Sequence, residues 1–304
     1  MELKILITDP SADYELIDFG EGEKLERYGE VLVVRPDPQA LPKKSLPQVQ
    51  WNGAQAKFSR MNSAEQAAKK AAWQIDSRLP KQWEVALADL KFRIKLSSFK
   101  HTGVFPEQVE NWKWIEHLVS KTRHSSLEKE ERPKVLNLFG YTGGATLAAA
   151  KAGAEVVHVD GSKVAIAAAK ENAALSDLSE KPIRWILDDA FAFVEREIRR
   201  GSKYDAIIMD PPAFGRGPAG EVWKIEEKFL PLLEACKKIL TDKPLFVLIN
   251  GYASGYSALA YMKALEEMMK TFGGKVEGGE LAIKTKNAGL LPAGIFARWF
   301  AGSM

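Results

Sequence analysis

From residue 134 to residue 272 the chain alternates short apolar runs with longer amphipathic ones. The runs at 135–139, 155–160, 183–187, 204–210 and 245–250 have the length of buried strands. The segments between and after them, 144–152, 163–175, 190–200, 222–240 and 256–272, read as helices. Strand and helix in regular succession predict a doubly wound, mainly parallel sheet. Two further runs, 280–285 and 295–300, have only residues 286–294 between them. That is too short for a helical crossover, so they should pair as an antiparallel hairpin.

Before residue 134 the pattern changes. Short β-type runs at 3–7, 14–19 and 31–34 are broken by Asp9-Pro10, Gly20-Glu21-Gly22 and Tyr28-Gly29, which predicts a small β-rich module. Pro36, Pro38, Pro42 and Pro47 then interrupt any regular element, because proline lacks the backbone donor and restricts the residue before it. Residues 63–75 read as a short helix, and residues 83–97 as one or two strands leading toward the main domain. The expected fold class is α/β: a small β-rich N-terminal domain and linker over 1–82, and a Rossmann-like domain over 83–304.

Composition narrows the class. Hydrophobic residues make up 46% of 304, enough for a packed core. The longest apolar runs are strand-sized, far short of the roughly 20 residues of a membrane span. The start, Met1-Glu2-Leu3-Lys4, lacks the basic-then-apolar layout of a secretory signal, so a cytoplasmic protein is expected. The single cysteine, Cys236, excludes an intramolecular disulfide and a multi-cysteine zinc cluster. His101, His117, His124 and His158 show no metalloprotease spacing, and no metal is expected. Net charge is +3, spread unevenly: −4 over residues 1–50, +6 over 51–100 and +1 over the rest.

Three features converge on one cofactor pocket. In an open parallel sheet the ligand sits beyond the carboxyl ends of the strands, beside the first of them. Asn137-Leu138-Phe139-Gly140-Tyr141-Thr142-Gly143-Gly144 follows that first strand, and its glycines allow a tight turn that exposes N–H groups at the next helix start. Those donors suit the methionine carboxylate of S-adenosylmethionine (SAM). Asp160 ends the second strand, where a carboxylate can accept both ribose hydroxyl protons. Asp189 follows the third, placed to accept from the adenine amino group. Each alone has a plainer reading, a turn or a helix cap. A nicotinamide enzyme would need G-x-G-x-x-G for its pyrophosphate, which Gly140-Tyr141-Thr142-Gly143 lacks.

Strand four ends in Asp210-Pro211-Pro212-Ala213-Phe214. This resembles the D/N-P-P-aromatic motif of methyltransferases, in which the acid and a proline carbonyl accept hydrogen bonds from the amino group to be methylated. Phe214 could stack on a base swung out of its helix. The plainer reading is a Pro-Pro turn with a core phenylalanine.

Phe139–Gly144, Asp160-Gly161-Ser162, Lys170-Glu171-Asn172, Asp189-Ala190 and the run from Tyr204 to Phe214 together resemble the bacterial large-subunit ribosomal RNA methyltransferase family. The likeness extends upstream through Lys100-His101-Thr102-Gly103-Val104-Phe105-Pro106-Glu107-Gln108 and covers roughly residues 85–304. It implies a class I methyltransferase fold, SAM as donor and a nucleotide of ribosomal RNA as acceptor. It also implies that Phe105 and Gln108 lie against the cofactor, with Asn137, Phe139, Gly140, Tyr141, Thr142, Gly143, Asp160, Gly161, Ser162, Asp189, Ala190 and Asp210. Asp210, Pro211, Pro212 and Phe214 would form the reacting centre.

One departure shifts the chemistry. Family members that make 5-methylcytosine carry a nucleophilic cysteine after strand five, because C5 is inert until a thiolate adds at C6. Here that place reads Asn250-Gly251-Tyr252-Ala253-Ser254. Cys236 falls with Leu232, Leu233, Ile239 and Leu240 on the apolar stripe of a helix, where an unpaired cysteine behaves as a small hydrophobe. A base nitrogen is therefore the expected acceptor atom.

Lys57, Arg60, Lys69, Lys70, Arg78, Lys81, Lys91, Arg93, Lys95 and Lys100 are interleaved with Trp51, Phe58, Trp73, Trp83, Phe92 and Phe99. The pattern fits an RNA-binding flank, or equally aromatics packed between domains under a solvated charged face. A methyltransferase acting on a small molecule or protein, and a non-catalytic SAM- or RNA-binding protein, are the alternatives.

Overall fold

The structure, a computed structural model, describes residues 2–59, 73–97, 100–125, 132–252 and 255–302. In chain order the first elements are β1 (Glu2–Thr8), β2 (Tyr14–Gly20), β3 (Glu23–Tyr28), β4 (Val31–Pro36), α1 (Gln48–Trp51), β5 (Ala56–Phe58), β6 (Trp73–Ile75), β7 (Trp83–Leu87) and β8 (Leu90–Ile94). A 3-10 turn, Pro106–Gln108, leads into α2 (Val109–Ser125). Then come β9 (Lys134–Leu138), α3 (Gly144–Lys151), β10 (Glu155–Asp160), α4 (Lys163–Leu175), β11 (Ile183–Leu187), α5 (Ala190–Arg200) and β12 (Ala206–Met209). The rest is β13 (Phe214–Arg216), β14 (Val222–Lys224), α6 (Ile225–Lys238), β15 (Phe246–Gly251), α7 (Ala258–Met269), β16 (Lys275–Lys284) and β17 (Leu290–Phe300).

By compactness the chain divides into two units. One comprises Met1–Leu6, Glu110–Leu281 and Gly294–Met304; the other comprises Ile7–Val109 and Ala282–Ala293. This differs from the expected boundary between residues 82 and 83. Strand pairing accounts for the first segment: β1 joins the large sheet instead of the N-terminal β module, a pairing that no local pattern announces.

The first unit carries that eight-stranded sheet, in the order β1-β16-β17-β15-β12-β9-β10-β11. β10 is parallel to β9 and β11, and β12 is parallel to β9 and β15. β17 runs antiparallel to β15, beside its hairpin partner β16. Val135, Leu136 and Leu138 of β9 and all of β12 are buried, as expected of parallel strands covered on both faces. Three helix starts are capped from their own sequence: Ser162 Oγ accepts from Ala165 N, Asp189 Oδ1 from Ala192 N and Ser257 Oγ from Ala260 N. Helix α2 was not among the sequence expectations, although Trp112, Ile115 and Val119 form its buried stripe. Residues 222–224, expected to be helical, form β14; the helix starts at Ile225.

The second unit is built on a five-stranded sheet, β2-β3-β4-β5-β6, with the β7–β8 hairpin. Strand β3 reads as a polar break in the sequence, yet Glu26 is fully buried. Arg35 Nε and Nη2 donate to its carboxylate at 2.7 and 2.8 Å, and the Tyr14 hydroxyl donates at 2.9 Å. Paired charge thus fills a core position. Of the short helix expected at 63–75, residues 63–72 lie outside the described residues, and Trp73–Ile75 is strand. No helix among the described residues is long and apolar enough to cross a membrane.

Candidate active site

The sheet order reverses direction between β9 and β12, which opens a crevice at their carboxyl ends. Leu138 stands level with Val159 on one side and Met209 on the other, so Asp160, Phe139 and Asp210 emerge side by side along the rim. With strands ~4.8 Å apart, the backbone positions of Asp160 and Asp210 flank the β9 loop about 10 Å from each other.

The loop after β9 is held in an unusual conformation. Phe139 and Tyr141 adopt φ of 56° and 48°, and Gly143 adopts 94°. Left-handed backbone at non-glycine residues persists only where surroundings over-determine it. Here Gly140 N donates to Val159 O, Gly143 N to Gly140 O, and Asn172 Nδ2 to Thr142 O at 2.9 Å. Beneath the loop, Asn137 Nδ2 donates to Thr146 Oγ1 at 2.8 Å, and that hydroxyl meets His158 Nδ1 at 2.9 Å. Burial pushes the His158 imidazole down to about 3, so it is neutral. A Cβ on Gly140 would sit 2.4 Å from the His158 ring, and one on Gly144 would sit 2.2 Å from Trp112.

The donor set fits SAM. Helix α3 starts at Gly144 with Gly143 as its cap, which has no side chain to accept from the first-turn N–H groups. Those amides suit a carboxylate. Asp160 Oδ2 accepts from Tyr141 N and Oδ1 from Ser162 N, both at 2.8 Å, which leaves each oxygen a further lone pair for a hydroxyl. Burial raises the Asp160 carboxyl above its usual range, partly offset by those two amides.

The remaining expected cofactor residues are distributed as follows. Asn137 is buried and turned to Thr146, supporting the loop from below. Asp189 caps α5 with Oδ1, so one of its oxygens is committed to the fold. Ala190 is the buried first residue of α5. Gly161 is covered: its Cβ position lies 3.3 Å from Arg216 O. Phe105 and Gln108 belong to the other unit, where Gln108 N donates to Phe105 O and the Phe105 ring meets His101 edge-on at 5.4 Å.

Of the residues expected to form the reacting centre, Asp210 is half-buried, Pro211 is buried, and Pro212 and Phe214 are exposed. The Pro212 carbonyl accepts from Trp223 Nε1 at 2.6 Å, and the Trp223 ring packs against Phe139 at 4.8 Å between centroids. Trp223 thus ties the Asp-Pro-Pro turn to the cofactor loop, and the Pro211 carbonyl makes no hydrogen bond with a described residue. On the far side of Asp210, Asn250 Oδ1 accepts from Asn111 Nδ2. Cys236 is fully buried in α6 and its thiol is pushed far up by burial. His158, Thr146, Trp112 and Trp223 escaped the sequence reading. Only His158, a polar residue inside Glu155–Asp160, carried a local signal.

Fold and loop together define a class I methyltransferase. Residues 34–273 match the model of the S-adenosylmethionine-dependent methyltransferase family, and the chain belongs to that family, with SAM as its cofactor. A crystal structure of the SAM-dependent methyltransferase from Agrobacterium tumefaciens is 40% identical, with a TM-score of 0.89 over 98% of this chain and 94% of that one. Ribosomal RNA large subunit methyltransferase K/L of Pseudoalteromonas atlantica is 30% identical over 229 residues, 71% of this chain and 30% of that protein. The protein of the same name from Shewanella sp. (strain MR-4) is 32% identical over 164 residues, 53% of this chain and 22% of its own length. The chain therefore spans less than a third of these two curated relatives.

Proposed function

We propose that the protein transfers the methyl group of SAM to a base nitrogen of ribosomal RNA. The observation that carries this reading is the pair of acceptors beside the cofactor loop, the Asp210 carboxylate and the Pro211 carbonyl, at a site without a thiol. Two acceptors match the two N–H bonds of an amino group. They concentrate its lone pair and stabilise the positive charge that develops on nitrogen as the methyl arrives. SAM supplies an electrophilic methyl on a sulfonium. Carbon methylation of cytosine would need a thiolate at the reacting centre, and Cys236 is enclosed in the core.

In this reading the first-turn amides of α3 hold the methionine carboxylate, Asp160 the ribose hydroxyls and the second oxygen of Asp189 the adenine amino group. Phe214, 57% exposed, stacks on the target base. The ribosomal RNA acceptor rests on the relatives' substrates and puts the reaction in the cytoplasm. The expected basic flank gives less support than its composition suggested. Trp51 and Phe92 are core residues, Lys57 pairs with Glu23, Arg78 with Asp76 and Arg93 with Glu84, while Arg60, Lys69, Lys70 and Phe99 lie outside the described residues.

The test is the methylation map of ribosomal RNA from a deletion strain, remodified in vitro by the purified protein. One N-methyl mark should vanish and be restored; an intact map, or 5-methylcytosine as product, refutes the proposal. Asp210→Ala should lower methyl transfer at least ~100-fold while SAM affinity stays within about threefold, the split expected of a group acting on the acceptor.

A further inference from the structure

The segment after the Asp-Pro-Pro turn forms a hairpin with two distinct faces. β13 and β14 pair antiparallel, with Phe214 opposite Lys224, Gly215 opposite Trp223 and Arg216 opposite Val222. Directly opposed residues share a face, and successive residues alternate. Gly215 and Trp223 therefore point one way, and Phe214, Arg216, Val222 and Lys224 the other. The inner face is anchored through Trp223, by the Pro212 carbonyl and Phe139. The hairpin backbone lies along the rim: Arg216 O and Gly217 Cα crowd the Cβ position of Gly161, and Asp189 Cβ crowds that of Gly217.

The outer face is open. Phe214 is 57% and Val222 38% exposed, and Arg216 and Lys224 are exposed as well. Arg216 makes no ion pair with a described residue. Lys224 pairs with Glu227 at 2.7 Å, but both side chains are about half exposed or more, and a surface pair of that kind exchanges readily. Of the nearby acids, Glu221 Oε2 is turned to Ala219 N at the hairpin tip. Glu226, the other acid in the first turn of α6, is exposed.

Resting on the RNA reading above, we infer that this outer face holds the unpaired RNA strand around the target nucleotide, with the target base on Phe214, its neighbour on Val222 and phosphates on Arg216 and Lys224. Two apolar and two cationic side chains, crossed diagonally on a rigid hairpin at the mouth of the crevice, are what a single strand with alternating bases and phosphates requires. The order also fits the chemistry. A base extruded toward Asp210 draws its neighbours across the residues that follow the Asp-Pro-Pro turn.

The test uses the full chain and a fluorescein-labelled, mixed-sequence single-stranded RNA 12-mer, titrated from about 50 to 200 mM salt. Each phosphate contact on a single strand contributes ~0.7 to the slope of log affinity against log salt. The Arg216→Ala/Lys224→Ala double variant should therefore lose about 1.4 of slope, leaving about sevenfold less salt sensitivity over that range. Melting temperature and SAM affinity should not change, and Arg216→Lys/Lys224→Arg should keep the slope. A double variant that binds the 12-mer with wild-type affinity and slope overturns the inference and leaves the ribosomal RNA proposal intact. A wild-type chain that binds no single strand at 50 mM salt also overturns it, and the methylation map then decides the acceptor independently.

Discussion

Gly140→Ala isolates what the cofactor loop requires. Gly140 itself does not have positive φ, so an alanine there carries no left-handed backbone penalty, and the effect is steric. The new Cβ would lie 2.4, 2.5 and 3.0 Å from three ring atoms of His158, where ordinary contact is 3.4–4 Å. The ring cannot give way easily. It is fully buried, held to Thr146 Oγ1 at 2.9 Å, and packed on Trp185 at 4.9 Å. The loop must instead lift by about 1 Å, carrying Phe139 and Tyr141 with it. Overpacking of this kind costs ~1–3 kcal/mol. Expressed entirely in binding, that is about 5- to 150-fold in SAM affinity. Expressed in stability, it lowers the melting temperature by roughly 2–4 °C per kcal/mol for a unit of this size. Calorimetric titration with SAM, together with thermal melting, separates the two. In Gly140→Ala/His158→Ala the clash is gone, so affinity should return to that of His158→Ala alone. A single variant that binds SAM within twofold of wild type at unchanged melting temperature would show that the ring does not set the loop.

Two further outcomes follow from buried charge. Because burial holds the Asp160 pKa above the carboxylate value of 3.8, SAM affinity should begin to fall on the acid side before that pH is reached, and Asp160→Asn should bind weakly without that acid limb. An identical acid limb in the variant would acquit Asp160. Arg298 donates to Glu277 Oε1 from Nε at 2.6 Å and lies over the Trp114 ring at 4.5 Å. Removing it as Arg298→Ala leaves a buried carboxylate with Lys4 as its remaining cation and should cost about 1.5–3 kcal/mol at pH 7. Burial alone would raise Glu277, but hydrogen bonds from Lys4 and the Arg298 charge outweigh it and hold the carboxyl below 4.5. Its contribution is therefore present above pH ~4.5 and lost as the pH falls through its folded value, so the deficit of Arg298→Ala should shrink in acid. The surface Lys263–Glu266 pair is the control: Lys263→Ala should change stability by less than about 0.5 kcal/mol, and urea melts at two pH values read both variants.

The α/β alternation over β9 to α7 and the cofactor turn were legible in the sequence because their causes are local. A strand buried on both faces must be apolar throughout, and a tight turn needs glycine. Asp160 and Asp210 were legible for a related reason. Parallel strands entering from one side bring their last residues to one rim whatever the side chains around them do.

What lay beyond the sequence depends on partners distant along the chain. β1 reads as part of the N-terminal module, yet pairs at the edge of the large sheet. β3 reads as a break because the charge of Glu26 is compensated by Arg35 and the Tyr14 hydroxyl from neighbouring strands, together with the hydroxyl of Tyr28 on β3 itself. The run 222–224 reads as helix because its residues suit either state, and cross-strand pairing with 214–216 decides it. The two proline carbonyls are equivalent on paper, and only Trp223, brought round by that hairpin, distinguishes them. The sequence alone thus determined which residues reach the rim and which cofactor suits them. The tertiary structure decided which atoms there are already occupied, because hydrogen-bond partners and steric limits are set by side chains that local periodicity does not encode.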